Sequence, residues 1–223
     1  YIKFQVEVIT RRTQFDLRKA REREHILEGM KLVVDHTDEV IHIIRHSEDQ
    51  TDAKKNLGER FGVTDEQASA IAAEAYARLN NKIAALCVTT GPGGTNAITG
   101  VVGGWLDSIP MFVVSGQVKY TTTARYAEQF TEGLPLRAVG DQEFDITKAI
   151  SCMCKYSAML EDINDIRYML EKAWHLATTG RPGPVWLDIP VNYQGSYIET
   201  DGLKGYDPTD DDGELPPKID DNT

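Results

Sequence analysis

The stretch from Ile83 to Asp107 constrains this chain more than any other. It reads IAALCVTT, then GPGGTN, then AITGVVGGWLD. An apolar, β-branched run ending in threonines predicts a buried strand. Gly91-Pro92-Gly93-Gly94 lets the backbone turn tightly and approach a ligand with no Cβ in the way. Thr95 or Asn96 is then expected to cap a helix whose small residues, among them Ala97, Gly100 and Gly104, pack closely on a sheet. Strand, glycine loop and helix start is how α/β proteins hold cofactors, at the C-terminal ends of their strands. A tight βα turn with no ligand is the alternative on these residues alone.

The pattern after the loop continues in kind. A second strand is expected over Met111 to Ser115, then a polar, irregular stretch over residues 117–142, a short helix near Ile146–Ile150 and a strand around Lys155–Leu160. Asp162 or Asn164 caps a long amphipathic helix running to Thr178, Gly180 ends it, and Val185–Ile189 forms a last strand. Alternating strands and helices of this length imply a parallel sheet covered on both faces. From Glu199 the chain is acidic and rich in Gly and Pro, the composition of an exposed linker.

The N-terminal part is of another kind. Residues 2–34 carry a charged helical pattern with one apolar stripe, which asks for a partner. Thr37-Asp38-Glu39 opens a second helix, and Thr51-Asp52 opens a third that Gly62 closes. Thr64 and Gln67 form a capping box for a helix over about 65–80.

The formal net charge of −11 over 223 residues argues against a large nucleic-acid footprint, which would need a basic face. No apolar run is long enough to span a bilayer, and no signal-peptide pattern opens the sequence. The chain starts at Tyr1 and reads as a fragment of a cytoplasmic protein. Cys87, Cys152 and Cys154 make no CxxC pair; Cys87, inside an apolar strand, is expected in the core. His42 and His46, four apart, have metal-binding spacing but no third ligand nearby, so they read as helix-surface histidines.

TTGPGGTNAITGVVGGWLDSIPMFVVSGQVK, VGDQEFDITKAI and GRPGPVWLDIPVNYQ, in that order, resemble the pyrimidine-binding domain of thiamine-diphosphate enzymes, in particular the acetolactate synthase-like group, over residues 66 to 218. RRTQFDLRKAREREHILEGM and FGVTDEQASAI resemble the coiled-coil region of the DNA gyrase or topoisomerase IV breakage-and-reunion chain (its A chain) over residues 1 to 71. The two overlap in the string Glu66-Gln67-Ala68, so the chain reads as a junction of two unrelated genes. The division expected is a helical segment over 1–65, the pyrimidine-binding domain over 66–198 without its first strand–helix–strand unit, and an acidic tail over 199–223.

The thiamine-diphosphate resemblance implies a cofactor half-site. Glu66 matches the glutamate that bonds the pyrimidine ring nitrogen and promotes the tautomer that activates the cofactor for attack on a 2-keto acid. On residues alone it is equally a first-turn glutamate favoured by the helix dipole. Pro92 and Gly93 match the loop packing on the pyrimidine, Asn96 matches its helix-start polar residue, and Gln142 matches a glutamine facing the reacting centre; Gln117 is the weakest candidate. Magnesium is implied by the resemblance, but the motif that binds it with the diphosphate does not occur here. The missing half of the site would come from another copy in a homo-oligomer or from a separate partner, and the chain alone is expected to be inactive.

Three readings stay open on the sequence: a fragment of an acetolactate synthase-like enzyme acting on 2-keto acids, a helical interaction module descended from topoisomerase, and a chance join of two genes. Removal of the family's first strand also predicts that Ala84–Val88 is left as a bare sheet edge that pairs with another chain.

Overall fold

A computed structural model describes residues 36–47, 50–132, 134–140 and 142–211, besides residues 10, 13 and 14. The expected long helix over 2–34 therefore lies outside the described residues, except that residues 10, 13 and 14 are helical.

Helices α1 (Thr37–His46) and α2 (Gln50–Phe61) lead into α3 (Asp65–Asn80). Gly62, at φ 67°, ends α2 as its position after the pattern predicts. The capping box at the start of α3 is formed in both directions. The Gln67 amide donates to the Thr64 hydroxyl at 3.3 Å, and the Thr64 amide donates to Gln67 Oε1 at 2.9 Å. Val40 and Leu57 pack on Ala68 and Ile71, so α1 and α2 lie against the flank of α3.

Next come β1 (Ala84–Val88), α4 (Pro92–Leu106) and β2 (Met111–Gln117). Short helical turns follow, with α5 (Ala124–Ala127) and α6 (Ile146–Ile150) the α-helical ones. β3 (Tyr156–Met159), α7 (Ile166–Thr178), β4 (Val185–Pro190) and α8 (Val191–Gln194) complete the order. The four strands are parallel in the order β1-β2-β4-β3, the α/β architecture the alternation predicts. α3, α4 and α6 cover one face, where Leu86, Val101, Met111, Val113, Ile150 and Trp186 form the core. On the other face α7 covers β2, β3 and β4. The chain's later part folds back on α7: Arg167 donates to the Leu203 carbonyl and the Tyr206 amide donates to Glu171.

Three local expectations are corrected. α4 is not capped by Thr95 or Asn96. It starts at Pro92, whose fixed φ suits the first turn and whose missing N–H costs nothing there, and Gly91 is the N-cap without a side-chain bond. Thr95 lies in the first turn and donates back to the Pro92 carbonyl at 3.0 Å. Cys87 is exposed rather than in the core. Strand alternation turns Ala85 and Cys87 to the face that α7 covers, but α7 packs chiefly on β2, β3 and β4. Asp162 caps only the short turn Ile163–Asp165 that leads into α7, accepting from the Asn164 amide at 3.0 Å.

Candidate functional site

The direction of two helices sets the site. Both α3 and α4 join β1 through short connections, so both run antiparallel to it and parallel to each other. Ala70 meets Gly100, and Arg78 donates to Asp107 at 2.5 Å further along the same pair. A salt bridge that far along requires the parallel arrangement. Glu66 and Asn96 each precede the Ala70–Gly100 crossing by four residues, about one turn and 6 Å. Both therefore stand at the end of the sheet where β1 runs into the glycine loop.

That loop is shaped by close approaches. Gly91 has φ 58° and ψ −116°, and a Cβ on it would lie 2.7 Å from the Gln142 carbonyl oxygen. A Cβ on Gly93 would lie 2.6 Å from Thr89 Cγ2. Gly94 packs toward Ile146 of α6. Gln142 sits over Gly91 in the left-handed region at φ 60°, with its side chain exposed. Glu66 and Asn96 are half-buried, Pro92 is exposed and Gly93 is buried. The side chains of Glu66, Asn96 and Gln142 make no hydrogen bond or ion pair with the described residues.

Beneath the loop lies a buried polar network that the sequence does not announce. Asp188 of β4, fully buried, accepts from the Ser115 hydroxyl at 2.6 Å and from Gln117 Nε2 at 2.8 Å. Trp186 Nε1 donates to the Ser115 oxygen at 2.8 Å. Gln117 also donates to the Phe144 carbonyl, and its Oε1 accepts from the Thr90 hydroxyl and the Val118 amide, each at 2.9 Å. The Thr90 hydroxyl lies 3.4 Å from the Gln142 carbonyl. Every polar atom of the Gln117 side chain is thus engaged, which fixes its rotamer and ties Asp188 to the loop. Burial pushes the Asp188 carboxyl up to about 6, against the lowering effect of the two hydrogen bonds. The one available signal is a single aspartate inside the apolar run VWLDIP, since a carboxylate in a central strand must be partnered.

A second network frames the loop over residues 118–145. Arg125 donates to Asp145 at 2.9 Å, to Glu161 at 2.9 Å and to Thr147 at 2.8 Å. The Thr147 hydroxyl and the Arg125 guanidinium outweigh partial burial and hold the Asp145 carboxyl below its usual range. Glu143 accepts from the Ala124 and Val139 amides, tying the segment that carries Gln142 to the start of α5.

No group of three or more His, Cys, Asp or Glu side chains that could hold a metal ion occurs among the described residues. His42 and His46 stack with ring centroids 4.0 Å apart, both exposed. No helix among the described residues is long and apolar enough to cross a membrane.

Comparison with known families and proteins agrees with the two resemblances. The family model of the thiamine pyrophosphate enzyme N-terminal TPP binding domain matches residues 46–135. The model of the DNA gyrase/topoisomerase IV A chain matches residues 1–87. The acetolactate synthase large subunit of Haemophilus influenzae is 38% identical over 167 residues, covering 71% of this chain and 27% of that protein. The large subunit from Buchnera aphidicola subsp. Schizaphis graminum is 36% identical over 167 residues. Acetolactate synthase isozyme 3 large subunit of Escherichia coli is 36% identical over 154 residues, covering 66% of this chain and 25% of that protein. The chain thus spans about a quarter of the length of these relatives. One sequence here carries a segment similar to the DNA gyrase/topoisomerase IV A chain, at residues 1–87, and a segment similar to the N-terminal TPP-binding domain of the acetolactate synthase-like enzymes, at residues 46–135.

Proposed function

We propose that this chain carries the pyrimidine half-site for thiamine diphosphate of an acetolactate synthase-like enzyme acting on 2-keto acids. What supports the reading is that Glu66 and Asn96 start their helices at the end of the sheet where the Gly91 loop turns, that Gln142 lies over Gly91, and that none of these three side chains makes a bond with the described residues. Their chemistry fits one side of an aminopyrimidine ring. Glu66 supplies a carboxylate for a ring nitrogen, and the amides of Asn96 and Gln142 can both donate and accept. Pro92 and Gly93 give the ring an apolar backing close to the main chain. When bound, the cofactor supplies the electron sink for decarboxylating a 2-keto acid. This chain's residues orient the ring and hold a proton at Glu66. The Asp188–Gln117–Thr90 network keeps the loop beneath them fixed.

Mg²⁺ and the diphosphate would be held by residues of a separate partner or of a second copy joined to a complementary domain. A cytoplasmic setting goes with this reading, and Cys87, Cys152 and Cys154 are free thiols. Turnover then requires the residues that hold Mg²⁺ and the diphosphate. A titration followed by backbone NMR tests the half-site, using thiamine and its isolated aminopyrimidine as probes. Saturable shifts are expected at Glu66, residues 91–96 and Gln142. Shifts elsewhere, or none at millimolar probe, would overturn the reading.

The match to the topoisomerase family favours a second reading, a helical interaction module built on α1, α2 and α3. These helices share one apolar cluster of Val40, Leu57, Ala68 and Ile71. On that reading the same titration gives no shifts, and capture by a complementary helical protein depends on residues 1–61.

A further inference from the structure

Among the described residues β1 pairs only with β2, so one side of it is a free edge. The Ala84 amide donates to the Pro110 carbonyl at 3.2 Å, in register with Met111. Parallel ladders alternate, so Ala84, Leu86 and Val88 direct both backbone groups to β2. Ala85 and Cys87 direct theirs outward. Both residues are also exposed. The strand has no charge, no proline and no bulge, which are the usual devices that keep an edge from pairing.

We propose that two copies of this chain associate through β1, antiparallel about a two-fold axis at Leu86. Ala85 then exchanges both backbone bonds with the partner's Cys87, and Cys87 does the same with the partner's Ala85. Four hydrogen bonds form, and every outward backbone group of both strands is used. This register alone overlaps the two five-residue strands from end to end, Ala84 facing the partner's Val88. Leu86 meets the partner's Leu86 at a non-hydrogen-bonded position, where side chains come closest. Lys82 falls opposite the partner's Thr90, so no like charges oppose each other despite the net charge of −11. The result is one continuous eight-stranded sheet. The association is independent of the cofactor reading, because no half-site residue takes part.

Sedimentation equilibrium of the full chain, with Ala85→Pro as the variant, tests this. The wild-type apparent mass should rise reversibly with concentration from 24.9 kDa toward twice that value. Proline at 85 removes only an outward N–H, which an edge strand tolerates, so the variant should keep its circular dichroism and stay at the single-chain mass. Should that variant not fold, hydrogen exchange of the wild type serves instead. The Ala85 and Cys87 amides should slow at least about tenfold from dilute to concentrated protein, by the linkage of exchange to association, while Leu86 stays unchanged. A single-chain mass at all concentrations, equal dimerisation by Ala85→Pro, larger open-ended assemblies, or protection of 85 and 87 that ignores concentration would each overturn the proposal. The last result would give the edge to another segment of the same chain.

Discussion

Ala70 and Gly100 touch where α3 crosses α4, so closely that a Cβ on Gly100 would lie 2.6 Å from Ala70 Cβ and 2.7 Å from its backbone carbon. This contact lets two helices on one face of the sheet run side by side. It also brings Glu66 to the same end as the glycine loop. Gly100→Ala must push the helices apart at a point where backbone, not a flexible side chain, is in the way. Overpacking of this kind costs roughly 1–3 kcal/mol, more than the gain in helix propensity of about 1 kcal/mol. Urea unfolding should show a lower midpoint with an unchanged slope.

Gly91 is held by two constraints at once, φ 58° and the Gln142 carbonyl 2.7 Å from where a Cβ would be. Gly91→Ala should destabilise the chain by roughly 1–3 kcal/mol through strain alone. It should also displace residues 140–143, visible as amide shifts at Gln142 and Glu143 in the absence of any ligand. An Ala variant with wild-type stability and spectrum would contradict the close approach.

The sheet, its helices and the capping box of α3 are legible in the sequence because they rest on local signals: apolar runs, a Thr64–Gln67 spacing, glycines after helices. The exposure of Cys87 is not legible, because burial in a strand depends on what covers each face, and the reach of α7 is a tertiary fact. The start of α4 is ambiguous because Thr95 is a fair cap by composition, whereas Pro92 behind a Gly91 that can take positive φ is a better entry. The polar network under the loop joins residues 90, 115, 117 and 188 from three strands' ends, a pairing no spacing reveals. For the candidate site, the loop is visible as a glycine–proline run. The common placement of Glu66 and Asn96 needs the parallel course of α3 and α4.

Asp188 gives the fold a pH dependence of definite sign. Its carboxyl is raised from 3.8 to about 6 by burial, so the native state holds a proton that the unfolded chain gives up. The associated stability is full below about pH 4 and is lost as pH rises to about 6, on the order of 3 kcal/mol in all. Asp188→Asn should remove that slope, leaving a flatter stability profile between pH 4 and 6 in chemical denaturation. An identical profile in the variant would place the slope on another group.

The capping box of α3 should be measurable by itself. Thr64→Ala removes the acceptor for the Gln67 amide and leaves Gln67 Oε1 on the Thr64 backbone N–H. The loss should be about 1 kcal/mol, read as a lower thermal midpoint, while Thr64→Ser restores most of it. Because Glu66 lies in the same first turn, fraying in the Ala variant should also weaken binding of the aminopyrimidine probe. The Ser variant recovers both.

Glu66 separates a structural role from a binding one. Its side chain makes no bond with the described residues, so its contribution to the fold is limited to a negative charge near a helix N-terminus. Removing that charge in Glu66→Gln should cost only about 0.3–1 kcal/mol. Gln keeps the size of the side chain and can still accept a hydrogen bond from a ring, but it cannot share a proton with a ring nitrogen. A first-turn glutamate with no ligand role would therefore show the small stability loss and no change in probe binding. A half-site glutamate should show the same stability loss together with aminopyrimidine affinity reduced about tenfold or more, the scale of one lost charge-assisted hydrogen bond. Unchanged affinity would remove Glu66 from the site.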